Sequence, residues 1–214
     1  MPIKITVMGQ TGRLGSQILA RAEQDSDFLI CHSLDQADIA LDVSSYLACA
    51  DHINQALDHR KPLIIGTTGH PPENYHLIEK AALSIPILFS PNFSLSMALC
   101  LETASFLAKQ LKGNCSIEII EAHHAHKKDA PSGTALALAH LLNKENPPPI
   151  KSIREGEIIG DHIIIFLCEG ERIELKHQVH SREAFAKGAL KAAQFLIDQK
   201  PGLYSIKDVL YAPC

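Results

Sequence analysis

Apolar positions along this chain recur with two spacings, every second residue or about every 3.6, and the two spacings take turns from the N-terminus onward. Residues 3–8 (Ile-Lys-Ile-Thr-Val-Met) alternate and predict a strand. Residues 16–23 predict a helix with Ile18, Leu19 and Ala22 on one side. Further strands are predicted at 28–32, 39–43, 63–65 and 85–89, with helices at 47–59 and 73–83 between the later ones. A long apolar-rich helix follows at 95–111, then a β-branched strand at 116–120 and a helix at 135–142. Asn143 to Pro149, with three prolines at its end, breaks that helix. Residues 162–168 and 172–179 form a hairpin pattern around Glu169-Gly170-Glu171. A last helix at 183–198 stops at Lys200-Pro201-Gly202, and 203–210 returns to the first group of elements.

The order predicts an α/β chain of two domains. The first and last elements predict a Rossmann-like dinucleotide-binding domain with a parallel sheet, and those between them an α+β domain with an open mixed sheet. Between the predicted strands at 28–32 and 39–43 only residues 33–38 remain. Six residues reach at most roughly 20 Å, whereas parallel neighbours need a crossover of about a dozen residues. The sheet is therefore expected to be reduced at this edge.

Two stretches carry chemistry. The first strand runs straight into Gly9-Gln10-Thr11-Gly12-Arg13-Leu14-Gly15, a strand, glycine turn and helix of the kind that holds a pyrophosphate. Gly9 closes the turn, Gly12 admits the phosphates, and Gly15 lets the helix lie close to the strand. Asp35, about 20 residues further on, is the candidate acid for the adenosine ribose, with Asp38 as the fallback. The second stretch is Glu121-Ala122-His123-His124-Ala125-His126-Lys127-Lys128-Asp129-Ala130-Pro131-Ser132-Gly133-Thr134-Ala135. It reads as the end of a strand, a loop and a helix N-terminus. Asp129, Ser132 and Thr134 are available as caps, and Pro131 suits the first turn. A helix start offers free N–H groups and partial positive charge to an anion. Lys127, Lys128 and the histidines add charge and proton donors.

Composition narrows the partners. The 214 residues carry a net charge of −4, which provides no general basic field for nucleic acid, and no run reaches the ~20 apolar residues of a membrane span. No signal-peptide layout is present, so a cytoplasmic location is expected. The six cysteines (31, 49, 100, 115, 168 and 214) lack Cys-x-x-Cys spacing and read as buried free thiols rather than disulfides or zinc ligands. His123 and His124 are adjacent on a strand and point apart, so a metal site, and with it a metal hydrolase, is not expected.

The stretch from Glu121 to Ala135 resembles the signature of the dihydrodipicolinate reductase family, Glu-x-His-His-x-x-Lys-x-Asp-Ala-Pro-Ser-Gly-Thr-Ala, at every fixed position. Gly12-Arg13-Leu14, Gly66-Thr67-Thr68-Gly69, Ser90-Pro91-Asn92-Phe93-Ser94 and the Ser181-Arg182 return are similar to further family segments. Ser45 replaces a frequent arginine, Ser96 replaces a glycine, and a strand and helix of the first domain and a later loop are missing. The resemblance implies reduction of 4-hydroxy-tetrahydrodipicolinate to tetrahydrodipicolinate with NADH or NADPH, in lysine and diaminopimelate synthesis. It implies His123 and Lys127 as catalytic proton donors, and His124, Ser132, Gly133 and Thr134 as carboxylate binders. It assigns cofactor contacts to Gly9, Gln10, Thr11, Gly12, Arg13, Leu14, Gly66, Thr67, Thr68, Ser90, Pro91, Asn92 and Phe93, beside Asp35. Gln36 stands where many members carry a basic residue, which favours NADH. The resemblance also implies that the dinucleotide-binding domain takes 1–93 and 183–214 and that 94–182 form the substrate-binding and oligomerisation domain, with domain closure over a small dicarboxylate and a homotetramer. The alternatives are another two-domain NAD(P)-dependent reductase of amino or oxo acids, or a non-catalytic cofactor-binding sensor. Arg154 needs no role on this reading and is expected to be solvated at the rim.

Overall fold

The computed structural model describes residues 1–212. The chain opens with β1 (Ile3–Met8), α1 (Arg13–Ala22), β2 (Phe28–Ile30), β3 (Ile39–Asp42), α2 (Cys49–His59), β4 (Leu63–Ile65), α3 (Pro72–Ala81) and β5 (Pro86–Phe89). Then come α4 (Leu95–Gln110), β6 (Cys115–His123), α5 (Gly133–Leu142), β7 (Ile150–Arg154), β8 (Asp161–Cys168) and β9 (Glu171–Gln178). It closes with α6 (Glu183–Leu196), β10 (Gly202–Tyr204) and α7 (Ile206–Leu210). The chain divides into two compact units, Met1–Leu95 with the described residues from Arg182 onward, and Ser96–Ser181. No described helix is long and apolar enough to cross a membrane.

The first unit is a six-stranded sheet in the order β10-β5-β4-β3-β1-β2, with every pair parallel. Both faces are covered, which is why its central strands are apolar at consecutive positions. On one face Ile18 of α1 and Ala189, Ala193 and Leu196 of α6 pack on Ile5, Val7, Ile64 and Leu88. On the other, Ile53 of α2 and Ile78 of α3 pack on Leu63, Ile65 and Ile87. Truncating a fully buried residue such as Ile53 to alanine would cost about 2–5 kcal/mol. The small residues of α6 also bring it against the turn after β5. A Cβ on Gly188 would overlap the carbonyl oxygen of Phe93.

The short link between β2 and β3 is explained by register. The two strands are not neighbours; they flank β1. β2 ends with Ile30 opposite Ile5, and β3 begins with Ile39 opposite the same residue. The link therefore travels sideways across one strand and need not climb back along it, so no helix is required. Leu34 and Ala37 are buried in the link and anchor it. The reduced sheet keeps β2 as its edge.

The second unit is an open mixed sheet, β7-β6-β8-β9, with β6–β7 parallel and the other two pairs antiparallel. Helices α4 and α5 lie on one face over Ile119, Ile164 and Phe166. The expectation of free thiols fails here: Cys115 and Cys168 are disulfide-bonded. They stand directly opposite on the antiparallel pair β6–β8, with Cα atoms 4.2 Å apart. Cys spacing along the chain cannot reveal such a pairing, because it depends on strand register. Cys31 and Cys49 are buried free thiols, Cys100 is partly buried and free, and Cys214 lies outside the described residues.

Candidate active site

In the first unit, four turns stand side by side at the carboxyl ends of β1, β3, β4 and β5. A crevice at this end of a parallel sheet is where dinucleotides bind. Gly9 follows β1 with φ 93°, a left-handed conformation that glycine adopts without cost. Its Cα position faces the next turn so closely that a Cβ would lie 2.7 Å from Ser44 Cα. Gly12 is the N-cap of α1 and donates from its own N–H to the Gly9 carbonyl at 3.0 Å. No side chain caps α1, so the N–H groups of its first turn are left without a partner from the helix. Gly15 lies in van der Waals contact with the Gly9 carbonyl and has no room for a Cβ.

The neighbouring turns are braced by buried polar side chains. Asp42, fully buried at the end of β3, accepts from the Ser44 N–H at 3.0 Å and the Ser44 hydroxyl at 2.6 Å. Its other oxygen lies 3.0 Å from His52 Nδ1, whose pKa this contact raises. The Gly66 N–H donates to the Asp42 carbonyl, tying β4's turn to β3's. Thr67 is held by His70: Asn74 Nδ2 donates to Nδ1 at 3.1 Å, so Nε2 carries the proton toward Thr67 Oγ1 and O at 2.8 and 3.0 Å. After β5, the Ser90 hydroxyl donates to the Asn92 carbonyl at 2.6 Å, and Asn92 Oδ1 accepts from the Ser94 N–H at 2.8 Å. The Phe93 ring is in the core against Gly66, so only the backbone of Phe93 remains to face a ligand.

Gly12, Arg13, Leu14, Ser44, Gly66 and Thr68 line a concavity of about 480 Å³. Its glycine floor and uncapped helix start suit a pyrophosphate, so the residues present fit a dinucleotide. Asp35 is not part of this lining; it is fully exposed in the β2–β3 link, its carboxyl lowered by a bond from Ser33. Asp38 is committed elsewhere, accepting from the Lys4 N–H at 2.9 Å. His70 and Asp42 were not marked as site residues by the sequence. A single histidine after Gly-Thr-Thr-Gly has no local pattern to betray its bond to Thr67.

The second unit gathers a cluster of ionisable side chains on one face of its sheet. Alternation puts Ile117, Ile119, Glu121 and His123 of β6 on the same face. The face is apolar under α4 and α5 and turns polar at its far end. There Glu121 and His123 are joined by Arg154 of β7 and His162 of β8. Arg154 is not the solvated rim residue expected. Its Nη2 and Nη1 grip the two Glu121 oxygens at 2.7 and 3.0 Å, and Nη2 also donates to the Asp129 carbonyl at 2.6 Å. Burial alone would raise the Glu121 pKa, but bonds from Arg154, Ser152 and His123 outweigh it and hold the carboxyl at about 2. The neighbouring His162 is pushed down to about 4 by burial first and then by His123, so it is neutral at pH 7.

The loop after His123 leads to α5. Ser132 is its N-cap, accepting from the Ala135 N–H at 3.2 Å, and its own N–H donates to Glu121 Oε1 at 3.3 Å. Pro131 precedes the cap, joined by a cis peptide bond to Ala130, and is not in the first turn as expected. The N–H groups of Gly133 and Thr134 are the first of the helix and have no intrahelical acceptor. Nothing lies within 4 Å of a Cβ position on Gly133, which is exposed. Lys127, on the loop between β6 and α5, is partly buried and lies 2.8 Å from Asp129 Oδ1. His124 is partly buried, its ring 6.4 Å from that of His126. A helix start with free N–H groups can hold a carboxylate, and an ammonium or an imidazole can supply a proton. Among the described residues no group of three or more His, Cys, Asp or Glu could hold a metal ion.

Comparison with known proteins agrees with both halves. Residues 30–93 match the family model described as dihydrodipicolinate reductase, N-terminus, and residues 96–210 that described as dihydrodipicolinate reductase, C-terminus. The 4-hydroxy-tetrahydrodipicolinate reductase of Zymomonas mobilis is 38% identical, the match covering 97% of this chain and 97% of that protein. The protein of the same name from Akkermansia muciniphila is 38% identical over 97% of this chain and 98% of its own. Among solved structures, dihydrodipicolinate reductase from Paenisporosarcina superposes with a TM-score of 0.81 at 22% identity, covering 97% of this chain and 99% of its own, a likeness of fold. A fold of this kind, matched along nearly its whole length at this identity, places the chain in the dihydrodipicolinate reductase family.

Proposed function

We infer that this protein reduces 4-hydroxy-tetrahydrodipicolinate to tetrahydrodipicolinate with NADH or NADPH, a step of lysine and diaminopimelate synthesis. The observation that carries this reading is the full-length match to reductases of that name. The start of α5, whose first N–H groups have no intrahelical acceptor, and the loop that carries Lys127 before it are consistent with the reading.

The residues divide the work. Gly9 to Leu14, Gly66 to Thr68 and Ser90 to Phe93 would hold the dinucleotide, mostly through backbone, at the uncapped start of α1 and the adjoining turns. When bound, the nicotinamide supplies a hydride. Gly133 and Thr134 N–H groups, with Ser132 and His124, would bind one carboxylate of the ring. The dipicolinate present in the Paenisporosarcina structure is a ligand of this class. Lys127 and His123 would make the acceptor carbon electron-poor and return a proton to the carbanion that forms. Asp35, exposed in the link after β2, is proposed for the ribose.

The protein is further proposed to be cytoplasmic and to assemble as a homo-oligomer, a tetramer by family resemblance. The outer face of the second sheet supports assembly: Ile120, Ile163, Ile165 and Leu167 lie there half-buried, opposite the face that α4 and α5 cover.

The test is oxidation of NADH and NADPH, followed at 340 nm, with freshly generated substrate. Turnover with either cofactor supports the reading. A folded sample that binds a cofactor and turns nothing over would be the sensor, and one that ignores both nucleotides would end the assignment.

A further inference from the structure

We propose that Glu121, gripped by Arg154, is a positioning residue that sets the ring orientation and the tautomer of His123 and so presents Nε2 to the substrate. The proposal rests on the reading of His123 as a proton donor.

Glu121 has no exposed surface. A carboxylate taken out of water costs several kcal/mol unless its lone pairs are satisfied, so a protein without need of it would carry an apolar residue on this sheet face. Here the lone pairs are filled by Arg154 at 2.7 and 3.0 Å, the Ser132 N–H at 3.3 Å and His123 Nδ1 at 2.5 Å. A carboxylate can only accept. The imidazole must therefore carry its hydrogen on Nδ1, which leaves Nε2 as the group that takes or gives the proton. The other edge of the ring is left clear by Gly160, where a Cβ would come 3.2 Å from Nε2. Second neighbours keep Glu121 in place: Arg154 is paired to it in a fork, which fixes both distance and angle.

The charged and titratable groups facing His123 come from every element around it. Glu121 lies on its own strand, Arg154 on β7, His162 on β8 and Lys127 on the following loop. Burial lowers the His123 pKa most; Glu121 raises it, and Lys127 and Arg154 lower it again. Removing the Glu121 charge removes the one raising contribution and leaves Arg154 uncompensated. The protonated fraction of His123 must then fall, and the pH at which the donor form is lost must move down.

A purely structural ion pair between β6 and β7 would account for the same distances, so the test reads properties that such a pair would not move. Nitrogen-15 histidine spectra of the wild-type protein, assigned with His123→Ala, should show the Nδ1–H tautomer. In Glu121→Gln, which keeps an acceptor but loses the charge, the His123 pKa should fall by about half a unit or more. The basic limb of kcat/KM should move with it, and kcat should drop at least ~10-fold with KM changed much less. Arg154→Lys, which cannot form the fork, should give a smaller loss in the same direction. An Nε2–H tautomer in the wild-type protein overturns the proposal, even if no Glu121 variant folds. A Glu121→Gln protein with an unmoved His123 pKa and an unmoved pH profile also overturns it. The spectra need no turnover, so a protein that reduces no substrate would refute the proposed reaction while the tautomer still decides this point.

Discussion

Gly15→Ala reverses an ordinary expectation, and the reversal can be sized. In an exposed helix interior, alanine is better than glycine by about 1 kcal/mol. Gly15 is the third residue of α1, so helix propensity alone predicts a more stable protein. The surroundings forbid it. A Cβ there would overlap the Gly9 carbonyl oxygen, fall 2.9 Å from the Gly9 carbonyl carbon and lie 3.2 Å from Gln10 Cα. All three obstacles are backbone, so no side-chain rotation relieves them. Gly9 cannot retreat, because its own Cα faces Ser44 and it already holds a φ of 93°. Overpacking of this kind costs about 1–3 kcal/mol, and the upper end applies where both partners are main chain. The net expectation is a loss of about 1–2 kcal/mol, with α1 displaced from the turn whose N–H groups face the cofactor concavity. Affinity for NADH should fall at least ~10-fold, which is about 1.4 kcal/mol. Urea unfolding followed by far-UV circular dichroism gives the first number. Titration of NADH fluorescence gives the second, with no tryptophan in the chain to interfere. The same change at Gly133, where nothing stands within 4 Å, is the control and should leave stability unharmed. A Gly15→Ala protein that binds NADH normally and unfolds at the same or higher urea would refute the argument.

Other consequences are open to measurement. Lys127→Ala should lower turnover at least ~100-fold, within the range for a lost general acid; near-normal turnover in a folded variant would remove Lys127 from the chemistry. Glu121 ionises with a pKa depressed from 4.5 to about 2, so its contribution to stability is complete above the upper value and is lost as pH falls toward the lower. Urea midpoints measured from pH 5 to pH 2 should therefore drop through this window, and Glu121→Gln should flatten the drop; equal slopes would contradict it. The Cys115–Cys168 disulfide closes a loop with a sequence separation of 53, worth about 4 kcal/mol on chain-entropy grounds. Reduction should lower the urea midpoint, and Cys115→Ser should abolish the difference between oxidised and reduced samples; no response to reductant would mean the bond adds nothing.

Much of the molecule could be read from local pattern. The alternation in β1, the glycine turn after it and the long apolar helix α4 are each decided within a dozen residues, by side-chain period and turn chemistry. The stretch from Glu121 to Ala135 reads as strand, loop and helix start for the same reason, although α5 begins after Ser132 and leaves Pro131 outside. The link after β2 looked too short only because a climb back along the sheet was assumed. β3 begins level with the end of β2, both opposite Ile5, so the length suffices.

By itself, then, the sequence determined the α/β class, the glycine turn and the helix start with its histidines and lysine, since these depend on residues a few positions apart. Tertiary structure alone decided what depends on register and crossing. Arg154 reaches Glu121 because β7 lies beside β6 with His123 opposite Arg154. Cys115 meets Cys168 because β6 and β8 run antiparallel in one particular alignment. His70 steadies Thr67 because α3 supplies Asn74 to its other nitrogen. Shifting any of these strands by one residue would turn every side chain to the opposite face, and no local pattern records which shift the fold selects.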